Sequence, residues 1–144
     1  MEIYTIGFTQ TTAERFFGRL TEARIERLLD VRLNNSSQLA GFAKSRDPYF
    51  LRELVGATYA HEPLLAPTQA MLDNYRKSGG EWPAYERQFI ALMAERDVEH
   101  NLDRNSFTAR TALLCSEATA EHCHRRLVCD YLASCWGDVH PIHL

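Results

Sequence analysis

The sequence predicts an α/β fold, a single three-layer domain with a mainly parallel sheet of about four or five strands flanked by helices. Short apolar runs of strand length alternate along the chain with segments of helical periodicity. The first three predicted elements are a strand, a helix and a strand within about 30 residues, which is the size of a βαβ unit. A length of 144 residues suits one domain with one core, over residues 1–144.

The first βαβ unit occupies the N-terminal part of the chain. Glu2–Ile6 is predicted as a strand ending at Gly7. Thr11 and Glu14 have the spacing of a capping box, and the residues after them carry an apolar stripe at helical spacing. Arg24–Val31 then contains four apolar side chains and is predicted as a second buried strand.

The next segment is polar and then returns to helix and strand. Leu33–Arg46 lacks periodicity and is predicted as a loop directly after a strand end. Asp47 and Pro48 suit a helix start, and Gly56 suits its end. Ala57–His61 is predicted as a short third strand.

Two further helices are predicted before the last part of the chain. Thr68–Lys77 and Pro83–Arg96 carry apolar residues at helical spacing, and Gly79-Gly80 separates them. Asp97–Arg110 is polar, and no element is assigned to it.

The stretch Thr111–Arg126 holds the densest set of reactive side chains. Ala112–Cys115 is predicted as an internal strand buried on both faces, followed by a break over Ser116–Thr119. A helix with Leu127 on its apolar face follows. Asp138–Leu144 is predicted as a final strand, at the sheet edge because it contains a proline.

Two sets of polar residues lie at strand ends that should meet at one rim of the sheet. Asp30 and Arg32 lie at the end of the second strand. Cys115 ends the central strand, and Glu117 and Arg125 come after it. We therefore expect these five residues to share one pocket. The alternative is a structural ion-pair network that holds two loops together.

Each candidate has a chemical and a packing interpretation. Cys115, near a helix N-terminus, is a candidate nucleophile and is expected to be the most reactive of the four thiols, or else it is a small buried hydrophobe. Glu117 is a general base or an anchor for an arginine, and His124 is an acid/base group or a satisfied core histidine. Cys123 is placed on the face of Leu127, as a packing residue.

The segment Ser116–His122 is predicted to bind an anion. The first turn of a helix has free N–H groups, Ser116 and Thr119 add hydroxyls, and Arg125 can reach back toward them. A self-capped structure, in which glutamates fill the same place, is the alternative. The candidate ligand-binding residues are thus Arg32, Arg125, Ser116 and Thr119, and the candidate catalytic residues are Cys115, Glu117, Asp30 and His124.

Two other kinds of site are weighed against this one. A Cys-x5-Arg phosphatase loop would need arginine at position 121, where the chain has Glu121. A metal site could use Cys115, Cys123, His124 and His143, but adjacent residues of a helix point in different directions. We therefore assign no metal and no cofactor.

Composition limits the partners. Charged residues are 24% of the chain and the net charge is −3, which does not favour wholesale attraction to nucleic acid. No apolar run approaches the roughly 20 residues needed to cross a membrane, and the N-terminus lacks a signal-peptide pattern, so a cytoplasmic location with free thiols is expected. Nothing in the pattern indicates an oligomeric state.

Several short motifs together resemble domain-of-unknown-function family 488. They lie at the predicted strand ends and at the C-terminus: Tyr4-Thr5-Ile6-Gly7, Leu29-Asp30-Val31-Arg32, Leu114-Cys115-Ser116-Glu117, Cys123-His124-Arg125-Arg126 and His140-Pro141-Ile142-His143-Leu144. The resemblance covers essentially the whole chain and implies a compact bacterial or archaeal α/β domain without an established activity. It also implies site positions at Asp30, Arg32, Cys115, Glu117, Cys123, His124 and Arg125. Many relatives have a proline and a Ser-Arg pair after the Asp-x-Arg motif, whereas this chain has residues 33–38, LNNSSQ, and is similar to a subgroup.

Three functions compete. The first is an enzyme or ligand-binding domain for an anionic, phosphorylated or nucleotide-like small molecule at the strand end around Cys115. The second is a nucleic-acid-associated module with a local basic rim, formed by Arg32, Lys44, Arg46, Arg125 and Arg126. The third is an interaction domain with a structural polar network.

Overall fold

The computed structural model describes residues 1–34, 52, 55–117 and 119–144. Most of the predicted loop Leu33–Arg46 lies outside the described residues, and so does most of the helix predicted to start at Asp47. Gly56, the predicted end of that helix, has φ of 75° and donates its N–H to the Arg52 carbonyl at 3.0 Å.

A five-stranded, all-parallel sheet forms the centre of the described part of the chain, as the α/β prediction requires. Its strands are β1 (Glu2–Gly7), β2 (Arg27–Asp30), β3 (Thr58–His61), β4 (Thr111–Cys115) and β5 (His140–His143). They are ordered β3-β2-β4-β1-β5. The central strand β4 is buried along its whole length, and β5 with Pro141 lies at an edge, so both sequence predictions are confirmed.

Helices flank the sheet. They are α1 (Ala13–Glu22), α2 (Gln69–Lys77), α3 (Trp82–Glu95), the single turn α4 (Val98–Asn101) and α5 (His124–Trp136), with 3-10 turns at Pro63–Leu65 and Arg104–Phe107. The segment Asp97–Arg110, to which no element was assigned, therefore contains α4 and a 3-10 turn. None of the helices in the described ranges is long and apolar enough to cross a bilayer.

Two of the boundaries that differ from the sequence prediction have a clear local cause. The N-cap of α1 is Thr12 rather than Thr11, and its hydroxyl accepts from the Arg15 amide at 3.2 Å, so the predicted capping box does not form. The second strand begins at Arg27 rather than Arg24, because Arg24 has φ of 55° and is part of the turn that closes α1.

The two faces of the sheet have separate cores because side chains alternate along a strand. In β4, Ala112 and Leu114 pack on the side of α1, whereas Leu113 and Cys115 pack on the side of α3 and α5. The chain after β1 thus goes to one face and the chain after β4 goes to the other. In open α/β sheets, ligands bind outside the carboxyl ends of the strands near such a divergence.

Candidate functional site

A cavity of about 240 Å³ lies at the carboxyl ends of β2 and β4. Its polar side is formed by the segments that follow these strands and by the start of α5, with Arg32, Ser116, Glu117, Cys123 and His124. Cys115, the last residue of β4, also lines it. The opposite side comes from α2 and α3. A concave surface of aromatic groups with a few convergent polar groups is typical of small-molecule sites.

The thiol of Cys115 lies beside the imidazole of His124. The Cys115 Sγ is 3.6 Å from Nδ1, and both residues are buried. The other ring nitrogen, Nε2, is 2.7 Å from the Val31 carbonyl oxygen. A carbonyl oxygen only accepts hydrogen bonds, so Nε2 carries the proton and Nδ1 of a neutral ring keeps a free lone pair. The sulfur is also 3.9 Å from Nε2, so it lies beside the ring rather than along that lone pair.

Cys123 adds a second thiol to the same point. One ligand atom each of Cys115, Cys123 and His124 lies within 4.8 Å of the other two. Cys123 is buried in the same core cluster as Leu127, as a packing residue would be, but it is the N-cap of α5, with φ −138° and ψ 139°, and not a residue within the helix. Its extended backbone turns its side chain toward the thiol of Cys115, although its neighbour His124 is helical.

The three groups influence each other electrostatically. A hydrogen bond from Cys123 holds the pKa of the Cys115 thiol well below its usual value, against the effect of burial. Burial raises the pKa of Cys123 well above its usual value. Burial acts to lower the pKa of His124, but the Cys115 thiolate outweighs it and the net shift is upward.

Asp30 and Arg32 form a buried pair next to this cluster. The Arg32 Nε and Nη2 donate to the two carboxylate oxygens at 2.9 and 2.7 Å, and the Tyr59 hydroxyl donates to the same carboxylate at 2.5 Å. The Arg32 guanidinium lies over the Phe8 ring, 5.0 Å from its centroid. Asp30 therefore balances the charge of Arg32 within the wall of the cavity.

Arg125 is placed differently from the expectation. Its side chain is 1% exposed, and Nη1 donates to the backbone carbonyl of Glu117 at 2.6 Å. Among the described residues, its buried Nε has no hydrogen-bond partner. Arg125 is thus held by the Glu117 backbone, whereas the Glu117 side chain is exposed at the cavity rim.

The structure brings most of the predicted site residues together. Arg32, Cys115, Ser116, Glu117 and His124 line the cavity, and Asp30 is bonded to Arg32 in its wall. Arg125 and the exposed Thr119 are not among the residues that line it.

The prediction that the first turn of the helix lies within Ser116–His122 is wrong. Helix α5 begins only at His124, so the free N–H groups of its first turn lie beyond that segment.

An aromatic wall was not identified from the sequence. Tyr75 of α2 and Trp82 and Tyr85 of α3 line the cavity, and Trp82 stacks on Tyr85 at 5.3 Å between centroids. His122 stacks on Trp82 at 5.0 Å, and Arg126 lies over the same ring. In the sequence, Tyr75 and Tyr85 have the spacing of ordinary apolar helix faces. Only Trp82, a large aromatic residue at the start of α3, could have indicated an aromatic surface there.

The chain matches the model of a known protein family. The model of the family described as domain of unknown function DUF488 matches residues 12–132, from the start of α1 into α5. No curated protein and no solved structure matches the chain.

Proposed function

Since the chain belongs to the family described as domain of unknown function DUF488, we propose its function from its cavity: it binds an anionic small molecule at the carboxyl ends of β2 and β4 and is placed to act on it. The observation that carries the proposal is the convergence of buried polar groups from two strand ends on one cavity with an aromatic wall. Structural ion pairs alone do not require such a cavity.

The size of the cavity limits the ligand. Sites for drug-sized ligands have volumes of roughly 300–1,000 Å³, and this cavity has about 240 Å³. The ligand, or the part of it that enters, is therefore compact. The rings of Tyr75, Trp82 and Tyr85 offer apolar surface on one side, and the polar groups lie on the other.

A cationic group at the rim of the cavity favours an anion. Arg76 of α2 is exposed at the rim, and no ion pair of its guanidinium is found within the described residues. Arg32 lies in the wall, where Asp30 fixes the plane of its guanidinium. Asp30 uses Nε and Nη2 of Arg32 and balances its charge, so among the residues that the structure describes the unpaired charge that favours an anion is that of Arg76.

The proposed roles follow the positions. Cys115 lies at the end of β4 and contacts the ligand. Glu117 lies at the rim and supplies an acid/base group. His124 orients the Cys115 thiol, and Asp30 orients Arg32. Ser116 supplies a hydroxyl donor.

Binding is tested by calorimetry with three probes, inorganic phosphate, sulfate and AMP, at millimolar concentrations. We expect at least one to bind the wild-type chain and to change the fluorescence of Trp82, which lines the cavity. Arg76→Gln should weaken binding by up to about fivefold, equivalent to the roughly 1 kcal/mol of an exposed charge pair.

The matched control is Arg87→Gln. Arg87 is an exposed arginine of the neighbouring helix α3 and is not among the residues that line the cavity. Its replacement should leave binding unchanged. No binding of any probe to the wild type, or equal weakening by both substitutions, would contradict the proposal.

A further inference from the structure

We propose that Cys115, Cys123 and His124 form a three-ligand site for a zinc-like divalent cation, with its fourth position open to the cavity. The inference deepens the proposed function. It rests on that function only for the identity of the ligand that would occupy the open fourth position. The three ligand groups are soft or borderline donors, two thiols and an imidazole, which is the set that selects zinc over magnesium or calcium.

The distances suit tetrahedral coordination. With a Zn–S bond of about 2.3 Å and a Zn–N bond of about 2.05 Å, a tetrahedral angle separates sulfur and nitrogen by about 3.6 Å. The Cys115 Sγ and the His124 Nδ1 are 3.6 Å apart. Because all three ligand atoms lie within 4.8 Å of one another, one cation could contact all of them once side-chain rotation points the Nδ1 lone pair at it.

The imidazole is prepared for a metal by its second hydrogen bond. Metal-bound histidines usually donate their other N–H to a carboxylate or a carbonyl, which fixes both the ring and the tautomer. Here Nε2 donates to the Val31 carbonyl at 2.7 Å, which leaves Nδ1 without a proton and able to bind a cation. This bond comes from the chain that follows β2, so the ligands on β4 and α5 are tied to the neighbouring strand end.

Cys123 supports the same inference from its local geometry. It is the N-cap of α5, yet its side chain makes no capping hydrogen bond, although N-caps usually have an oxygen that does so. Its extended backbone instead directs its sulfur toward Cys115 and His124.

The charge balance fits burial. Two thiolates and one neutral imidazole cancel the charge of a divalent cation, so the filled site would bury no net charge. All three ligands also line the cavity, so the fourth position faces the proposed anion. Three protein ligands with one open position are typical of catalytic rather than structural zinc. The cation would then polarise an oxygen of the bound anion as a Lewis acid.

The test is a titration of the reduced, chelator-treated chain with Zn²⁺ and with Co²⁺, without any anion present. We expect one cation per chain, a rise in the melting temperature with Zn²⁺, and the thiolate-to-cobalt charge-transfer absorption with Co²⁺. Mg²⁺ and Ca²⁺ should give neither effect.

The variants are Cys115→Ser, Cys123→Ser and His124→Gln, with Cys129→Ser as the matched control. Cys129 is a buried free thiol of α5 outside the cluster. Each cluster variant should lose more affinity than the roughly 10–100-fold that removal of an outer-shell partner costs, and the control should bind like the wild type. Circular dichroism of each metal-free variant checks that the fold persists.

Three outcomes would overturn the metal site. The first is that no cation binds stoichiometrically, and the second is that Cys123→Ser and Cys129→Ser bind the cation equally well. The third is cobalt binding without thiolate absorption, which would indicate binding at the exposed group Asp97, Glu99 and His100. Because no anion is present, a failure here leaves the phosphate, sulfate and AMP measurements standing. Conversely, zinc binding without any anion binding would reject the proposed function and keep the metal site.

Discussion

Gly7→Ala is the most informative single substitution for the scaffold of the site. Gly7 ends β1 beside Cys115, and a Cβ there would be 2.5 Å from the Arg125 Nη1 and 2.8 Å from the Glu117 carbonyl carbon. The Glu117 carbonyl oxygen would be closer still. Two of these three contacts are with backbone, which cannot move aside as the end of a flexible side chain can. The segment after β4 must therefore shift.

The cost has two parts. Overpacking of a tight site costs about 1–3 kcal/mol. The displaced Glu117 carbonyl also weakens its hydrogen bond to the buried Arg125, and a hydrogen bond to a charged group contributes about 1.5–3 kcal/mol. We expect a loss of roughly 3–5 kcal/mol, a large fraction of the roughly 5–15 kcal/mol by which domains are stable.

Urea unfolding monitored by circular dichroism measures this loss. The matched control is Gly18→Ala in the middle of α1, where a Cβ would meet no atom within 4 Å. That substitution should stabilise the chain by about 1 kcal/mol, because alanine favours helix over glycine. The two substitutions should thus have opposite signs. A Gly7→Ala chain as stable as the wild type would refute the close approach of the Glu117 segment to β1.

Three further predictions concern the buried groups around the cavity. Asp30→Asn should lower the free energy of unfolding by about 3–5 kcal/mol, because it leaves the buried Arg32 without its carboxylate. Asp138→Asn, at the exposed pair with Arg104, should lower it by no more than about 1 kcal/mol in the same urea assay. In the metal-free chain, iodoacetamide should label Cys115 faster than Cys129, because Cys115 lines the cavity whereas burial raises the pKa of Cys129 to about 12. Equal labelling of the two thiols, or no protection of Cys115 by Zn²⁺, would count against an accessible thiol at the metal site. Burial, with Arg125 and Arg126 of α5, lowers the pKa of His143 below its ordinary 6.5, against the opposing effect of Asp130, so the unfolded chain takes up the proton first. Stability should therefore fall as the pH drops below about 6.5, and His143→Asn should remove that part of the fall; an unchanged pH profile would show that His143 does not carry it.

The fold was predictable because it depends on local patterns. Alternating apolar runs and helical stripes indicated the strands and most helices, and the apolar run Ala112–Cys115 indicated the central strand. The proline at position 141 indicated the edge position of β5. Sequence patterns did not reveal the boundary at Arg24, since a left-handed backbone at an arginine has no sequence signal.

The site was predictable only as far as strand ends determine it. The parallel sheet brings Asp30 and Cys115 to neighbouring strand ends, as the two motifs implied. The direction of each side chain depends on backbone angles that the sequence does not give. Arg125 therefore turned to the Glu117 carbonyl, and Cys123 turned toward Cys115 because it caps the helix from an extended backbone.

The most direct test of the central claim is a crystal structure of the chain grown with zinc and phosphate, with diffraction data collected at the zinc absorption edge. Our account predicts an anomalous peak within coordination distance of Cys115, Cys123 and His124, and a phosphate between that peak and Trp82 in the cavity. Zinc and phosphate bound only at other places, with the cavity free of both, would contradict it.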